Sequence, residues 1–407
     1  MPLTLLTGPA NAEKAGHVLA AYRAVLDRDP LLVVPTRADV DRYRRELAAG
    51  GAVFGVEVLT FANLVSEIGR RVGVRGRAIG GLARERVAAA AARRARLGVL
   101  AASARTAGFP AALLRLVDDL EAAGVDAARM HVAARAWGAQ DPERAPYAAE
   151  LARLYGAYRD LLAELGRTDG PLRRRAALDA LRLAPGAWGG APVFLYGFDD
   201  LSPLQSDAVE TLAVHAGAPV MVSLTYEAGR AAFAGRGATF QALLALGAEH
   251  VELPARADHY APASREPLHH LERALFEDDA PVAPAGEAIL LLEGGDERAE
   301  LELVAAHVAR LLREGVPAEE IAVVLRDPRE QAALVERVFA AAGVPVALSR
   351  RVPAGHTALG RGAIALLRAA LPDGTADDVL RWLRTPGKLE RPQLADTLEA
   401  DVRQAGV

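Results

Sequence analysis

The sequence predicts an α/β protein: a doubly wound parallel sheet, interrupted by a block of helices and followed by a second, shorter α/β unit. Three observations carry this. Short apolar runs alternate with stretches of helical period from the first residues onward. Strand-like runs stop at about residue 81 and return near residue 191. Beyond residue 287 the strand–helix alternation begins again.

The elements follow in order. Leu3–Thr7 reads as a short buried strand. A helix follows from about Ala12, with Ala15, Val18, Leu19, Tyr22, Val25 and Leu26 on one face. Leu31–Thr36 is a second strand, whose unbroken apolar start suits a parallel sheet covered on both faces. A helix spans roughly Ala38–Ala48, a third strand Val56–Phe61 and a third helix Ala62–Gly73. From Gly81 to Ala184, Ala, Leu and Arg recur with helical period and predict a helical insertion. Strands Ala191–Phe198 and Ala218–Tyr226 flank a helix over Pro203–His215, so the sheet resumes. Glu252–Glu287 holds five prolines and reads as a linker with one short helix, Leu268–Phe276. Strands are then expected at Glu287–Gly294, Glu320–Asp327 and Val344–Ser349, with helices at Glu297–Glu314 and Arg329–Gly343 between them. After Arg351 the pattern is helical. The predicted division is thus 1–80 with 190–251, an insertion at 81–189, a linker at 252–286, a second unit at 287–350 and the start of a helical region at 351–407. Three strands are few for a complete sheet, so an uncovered edge is expected in the second unit.

Composition narrows the function classes. The 407 residues are 51% hydrophobic and 25% charged, which suits a globular protein with real cores. No cysteine is present, which excludes disulfides, thiolate zinc sites, iron–sulfur clusters and cysteine nucleophiles in this chain. The net charge is −4, so binding to nucleic acid must rest on local patches rather than on the global field. No apolar run reaches membrane-spanning length and no signal-peptide pattern opens the chain, so the expected compartment is the cytoplasm, with no membrane partner. Only two of the 48 basic side chains are lysines, Lys14 and Lys388, so a lysine carries some information here.

The stretch from Gly8 to Ala15 has the outline of a phosphate-binding loop, G-x-x-x-x-G-K-[ST], between a strand and a helix. Gly8 and Lys14 match. Glu13 stands in place of the second glycine and Ala15 in place of the hydroxyl residue. The glycine lets backbone approach phosphate and the hydroxyl binds Mg²⁺, so both changes oppose nucleotide binding. A purely structural reading is also open: Asn11 caps the helix, and Glu13 in the first turn favours the helix dipole by about 0.3–1 kcal/mol. Between Glu67 and Arg96 lie nine arginines and two glutamates, either a phosphate-contacting stripe or solvated helix faces. Adjacent His269 and His270 point to different faces of a helix, so with Glu272 they do not predict a metal site. No nuclease constellation of acidic residues followed by lysine is found, and Lys388 lacks upstream carboxylates on strands.

The order of these parts resembles the N-terminal portion of a superfamily 1 (UvrD-like) helicase. More closely, the chain resembles the AddB subunit of the AddAB-type ATP-dependent helicase–nuclease, within the PD-(D/E)XK nuclease family, over essentially its whole length. The stretches "TGPANAEKAG", "VVPTRADVDRYRREL", "LTFANLVSEI", "AGFPAALLRLVDDLEAAG", "YGFDDLSPLQ" and "EEIAVVLRDPREQAALVERVFAAAGVPVAL" carry the resemblance. It implies a RecA-like P-loop NTPase fold for the first unit, a helical insertion, and a second, incomplete RecA-like unit. Gly8, Lys14, Gln205 and Arg326 fall on the family's nucleotide-binding positions, Arg326 on its γ-phosphate arginine. Tyr196 and Gly197 fall on its Mg²⁺-binding Asp and catalytic Glu, and Asp199 on its Gln. With Glu13 and Ala15, four positions essential to ATP hydrolysis are altered, so the implied nucleotide site is degenerate. No cofactor is expected; ATP with Mg²⁺ enters only if the altered loop is active. Thr36, Arg37, Thr60 and Phe61 fall on the family's single-stranded-DNA contacts, and Arg70, Arg71, Arg75 and Arg77 extend that side. The implied role is the non-catalytic, DNA-holding half of an AddB protein in double-strand break repair. The implied partners are single-stranded DNA or a DNA end and an AddA-like helicase–nuclease protein. Two alternatives stay open: an active P-loop ATPase with an unusual loop, and a truncated product without independent function.

Overall fold

The computed structural model describes residues 3–49, 51, 55–74, 77–348, 352–391 and 393–405. They form two compact units that divide between Ile289 and Leu290.

The first unit opens with the expected alternation: β1 (Leu3–Gly8), α1 (Lys14–Arg23), β2 (Leu31–Val34), α2 (Arg37–Ala48), β3 (Glu57–Thr60) and α3 (Phe61–Arg71). The insertion contains β4 (Arg77–Ala78), α4 (Gly81–Arg94), α5 (Phe109–Ala122), α6 (Ala127–Gly138), α7 (Ala145–Glu164), β5 (Arg167–Thr168) and α8 (Gly170–Leu183). The chain then returns through β6 (Val193–Leu195), α9 (Pro203–Glu210), β7 (Val220–Thr225), α10 (Gly237–Ala245), β8 (Glu249–Glu252) and α11 (Arg265–Ala274).

Six strands make one sheet in the order β3-β2-β6-β7-β1-β8, and every pairing is parallel. The sheet is covered on both faces because its strands are apolar on both. Alternate residues of β2 face opposite sides: Leu31 and Val33 join a core with Leu64, Ile68 and Trp188. Leu32 and Val34 join one with Val18, Tyr22 and Tyr43. All four β2 side chains are at most 1% exposed. β8 was not expected as a strand. It pairs with β1 at the sheet edge, and Glu249–Glu252 is exposed throughout, so no apolar alternation marks it in the sequence.

The insertion packs α4, α5 and α7 around Ala88, Ala91, Val117, Leu154, Tyr155 and Tyr158. The expectation of helices alone misses the two-residue ladder between β4 and β5, which is too short to leave a periodic signal. Asp169 lies at the centre of this block, 0% exposed. It accepts hydrogen bonds from Tyr158 Oη (2.8 Å) and Arg84 Nε (3.3 Å), and it caps α8 through Leu172 N (3.2 Å).

The second unit contains α12 (Glu297–Arg313), α13 (Pro328–Ala341), α14 (Ala358–Ala369), α15 (Ala376–Leu383) and α16 (Gln393–Ala405). Leu301, Ala305 and Val308 of α12 pack with Val335, Val338 and Phe339 of α13. Here the structure corrects the sequence. The runs expected as strands at 287–294, 320–327 and 344–348 form no strand among the described residues; Ser349 lies outside them. A strand exists only through hydrogen bonds to a neighbour, and these runs, though apolar, have no ladder partner. Leu291 and Val324 are each 91% exposed as a result. The segments at 321–325 and 344–348 instead line a cavity of about 390 Å³ beside α12 and α13.

The expected linker is not uniformly open. Arg273 pairs with Glu227 at 2.6 Å and Glu277 with Arg230 at 2.8 Å, whereas Glu287 and Glu293 are exposed. A Glu-specific protease should therefore cut after Glu287 and Glu293 before it cuts after Glu272 and Glu277. Intact-mass analysis of a time course checks the order, and early cleavage at Glu272 would contradict these contacts.

Candidate functional site

In open α/β sheets, ligands collect in the crevice beyond the carboxyl ends of the strands. Here β1 and β6 end on a crevice of about 500 Å³, whose lining includes Ala10, Asn11, Lys14, Tyr196, Arg256 and His259.

The β1–α1 loop forms one wall. Gly8 has φ +151°, and a Cβ there would lie 2.8 Å from the Leu253 carbonyl oxygen, so the close approach of the chain requires glycine. Glu13 holds a left-handed conformation (φ 60°, ψ 25°) immediately before α1. A glycine would adopt it freely, whereas a side chain there costs roughly 1–2 kcal/mol. The loop thus keeps a glycine-type backbone at a position that now carries a carboxylate, and that carboxylate pairs with Arg256.

Lys14 is the first residue of α1 and is 6% exposed. Its Nζ donates to the carbonyls of Gly8 (3.1 Å), Ala10 (3.2 Å) and Pro9. Burial pushes its pKa down to about 8; Glu272 opposes that shift and Arg236 adds to it. The structural reading of Asn11 and Glu13 needs correction. Asn11 does not cap α1: its amide donates to Tyr260 Oη (3.2 Å) and Glu272 Oε2 (3.0 Å). Glu13 occupies the cap position itself, makes no side-chain cap bond and lies outside the first turn. The Asn11 amide nitrogen is instead turned to two acceptors from distant sequence.

The opposite wall is the end of β6. Tyr196 N donates to Val33 O (3.0 Å), and its ring meets Tyr43 edge-on at 5.6 Å. Gly197 has φ +83°. Neither residue supplies a carboxylate. Asp199 pairs with Arg236 at 3.2 Å, and Asp200 accepts from Leu201 N (2.8 Å) and from Thr239 Oγ1. Gln205 is engaged in a capping box: its Oε1 accepts from Ser202 N (2.7 Å) at the start of α9. Of the four nucleotide-site candidates, only Gly8 and Lys14 sit on the β1–α1 loop. Arg326 belongs to the second unit and is exposed. Among the described residues, no group of three or more His, Cys, Asp or Glu could hold a metal ion.

The DNA candidates lie at the ends of β2 and β3. Thr36 caps α2 in a box with Asp39, and Arg37 is exposed and pairs with Asp41 at 3.6 Å. Thr60 precedes α3 without a side-chain cap bond. Phe61 is half-buried against the sheet core. Arg70 is exposed and pairs with Glu67 at 2.5 Å. Arg71 is turned inward: it bonds Glu67 (2.8 Å) and Trp188 O, and lies over the Trp188 ring at 4.2 Å. Hydrogen bonds from Arg70 and Arg71 hold the Glu67 carboxyl down to about 2. Arg75 lies outside the described residues, as does the side chain of Arg77, whose backbone is in β4. Farther along the arginine run, Arg84 pairs with Asp118 (2.6 Å) and Arg94 with Glu164 (2.7 Å).

Sequence reasoning missed the contacts that Arg256, which lines the crevice, and Tyr260 and Glu272 make with the β1–α1 loop. Each meets a residue more than 240 positions away, so no local pattern could have marked them.

The chain is 28% identical over 419 residues to the AddB protein of the ATP-dependent helicase/deoxyribonuclease of Pelotomaculum thermopropionicum, covering 95% of this chain and 35% of the relative. It is 29% identical over 417 residues to that of Moorella thermoacetica, covering 95% and 36%. Against that of Symbiobacterium thermophilum it is 33% identical over 217 residues, covering 48% and 18%. No protein-family model matches the chain. The chain is therefore similar to AddB along nearly all of its own length, and spans about a third of the length of the first of these relatives. No helix among the described residues is long and apolar enough to cross a membrane.

Proposed function

We propose that this chain is the DNA-holding part of an AddB-like component of a helicase–nuclease and does not itself hydrolyse ATP. In this reading the first unit is a RecA-like P-loop domain whose nucleotide site has degenerated. It works in the cytoplasm on DNA ends, beside an AddA-like helicase, in double-strand break repair.

The observation that carries the reading is the chemistry of the two crevice walls. Hydrolysis needs a metal and a carboxylate to orient water. Ala15 offers no hydroxyl, Tyr196 and Gly197 offer no carboxylate, and the nearby Asp200 is held by Leu201 N and Thr239. Lys14 has three loop carbonyls as partners in place of phosphate. The similarity to AddB proteins of ATP-dependent helicase/deoxyribonucleases supports the wider role.

The expected result is no DNA-stimulated release of phosphate from MgATP, with wild type and Lys14→Ala indistinguishable in a coupled assay. A steady turnover that vanishes in Lys14→Ala would replace this reading with that of an active ATPase. The DNA path proposed for the same unit runs over Thr36, Arg37, Thr60 and Phe61, with Arg70, Arg75 and Arg77 alongside.

A further inference from the structure

We infer that residues 256–272 form a built-in strap fastened to the β1–α1 loop, with the Glu272 carboxylate competing there with an anionic ligand. The geometry is a closed ring of polar contacts. Asn11 Nδ2 donates to Tyr260 Oη at 3.2 Å and to Glu272 Oε2 at 3.0 Å, and Tyr260 Oη donates to the same Oε2 at 2.6 Å. A second tie joins Arg256 to Glu13. Both ties fasten a segment from beyond β8 onto the loop that follows β1.

The segment is braced at its far end. Arg273 of α11 pairs with Glu227 at 2.6 Å, and Arg230 pairs with Glu277 at 2.8 Å. Glu272 is therefore held against Asn11 of the β1–α1 loop by a helix fixed on the same unit. Its second oxygen, Oε1, is buried and has no hydrogen-bond partner. A buried carboxylate oxygen without a donor is costly unless positive charge lies nearby. The Asn11 amide holds this carboxylate against the loop whose Lys14 is the buried cation, and Glu272 favours the protonated form of that lysine. The loop kept one lysine in a chain nearly devoid of lysines, and the chain itself provides the counter-anion.

The strap's contacts with the loop, at Asn11 and Glu13, are not the residues proposed for DNA binding at the ends of β2 and β3, so each reading can fail without the other. The strap is tested by removing its charge. Inorganic pyrophosphate is titrated by calorimetry into wild type and Glu272→Gln, with DNA affinity measured in parallel. Wild type is expected to bind pyrophosphate at least tenfold more weakly than Glu272→Gln, and Lys14→Ala in the Glu272→Gln background should abolish the gain. Tyr260→Phe keeps every charge but removes the hydroxyl that joins Asn11 to Glu272. It should give a smaller gain and serves if Glu272→Gln fails to fold. Pyrophosphate binding unchanged in every folded variant would overturn the proposal, as would a gain that persists without Lys14.

Discussion

Asp169→Ala is expected to destabilise the first unit by about 3–5 kcal/mol, the range for breaking a buried ion pair by removing one partner. Asp169 is 0% exposed and serves three elements at once: Tyr158 on α7, Arg84 on α4 and the first turn of α8. Alanine leaves the Tyr158 hydroxyl without its acceptor in a core position and uncaps α8, a loss of about 1 kcal/mol by itself. Arg84 keeps Asp118 at 2.6 Å, so its charge is not abandoned, and the lower half of the range is favoured. Asp169→Asn keeps an acceptor for the α8 cap but puts an amide NH2 where Oδ2 accepts from Tyr158 and Arg84, so it should cost less than alanine by about the cap alone. Urea unfolding followed by circular dichroism reads both variants. An Asp169→Ala midpoint within error of wild type would show that the network contributes nothing to holding the insertion together.

The second large effect concerns salt. Wild type is expected to bind single-stranded DNA without sequence preference, with a log–log salt slope of roughly −2 to −3. That follows from three or four phosphate contacts at about −0.7 each. Arg37, Arg70, Arg75 and Arg77 all changed to Ala should bring the slope close to zero and weaken every sequence alike. Arg71 is left out because it packs on Trp188, so its loss would loosen α3 rather than report on DNA. The side chains of Arg37 and Arg70 are 65% and 71% exposed, so both can reach phosphate; the exposed Arg37–Asp41 pair exchanges at little cost, and Glu67 keeps Arg71 when Arg70 turns away. Phe61 packs partly against the sheet core, so a stacking role would need a ring face that this packing leaves free. Anisotropy titrations at several salt concentrations measure both quantities. If affinity and slope survive the four substitutions, the DNA path lies elsewhere on the molecule.

Much of the first unit was legible because its signals are local. The run Leu31–Val34 can only be a strand buried on both faces, and it is. Likewise, the long alternation-free stretch after Gly81 is built of helices, apart from the two-residue strand β5. Where the signal is not local, the reading failed. β8 has an edge strand's polar sequence, and only its register against β1 makes it a strand. The runs around Leu291 and Val324 have strand composition, yet they find no ladder partner and form no strand.

The candidate site divides along the same line. The sequence by itself determined what the crevice lacks: a hydroxyl at Ala15 and carboxylates at Tyr196 and Gly197, since residue identity alone fixes which groups can bind metal or activate water. It placed the start of α1 at about Ala12, two residues before Lys14, where the structure begins it. Only the tertiary structure decided what those groups touch. Asn11 looked like a helix cap but bonds Tyr260 and Glu272, and Arg71 looked like a surface cation but lies on Trp188. The physical reason is competition. A polar side chain takes the best-placed partner available, and in a folded chain that partner can come from hundreds of residues away, where no sequence period reaches.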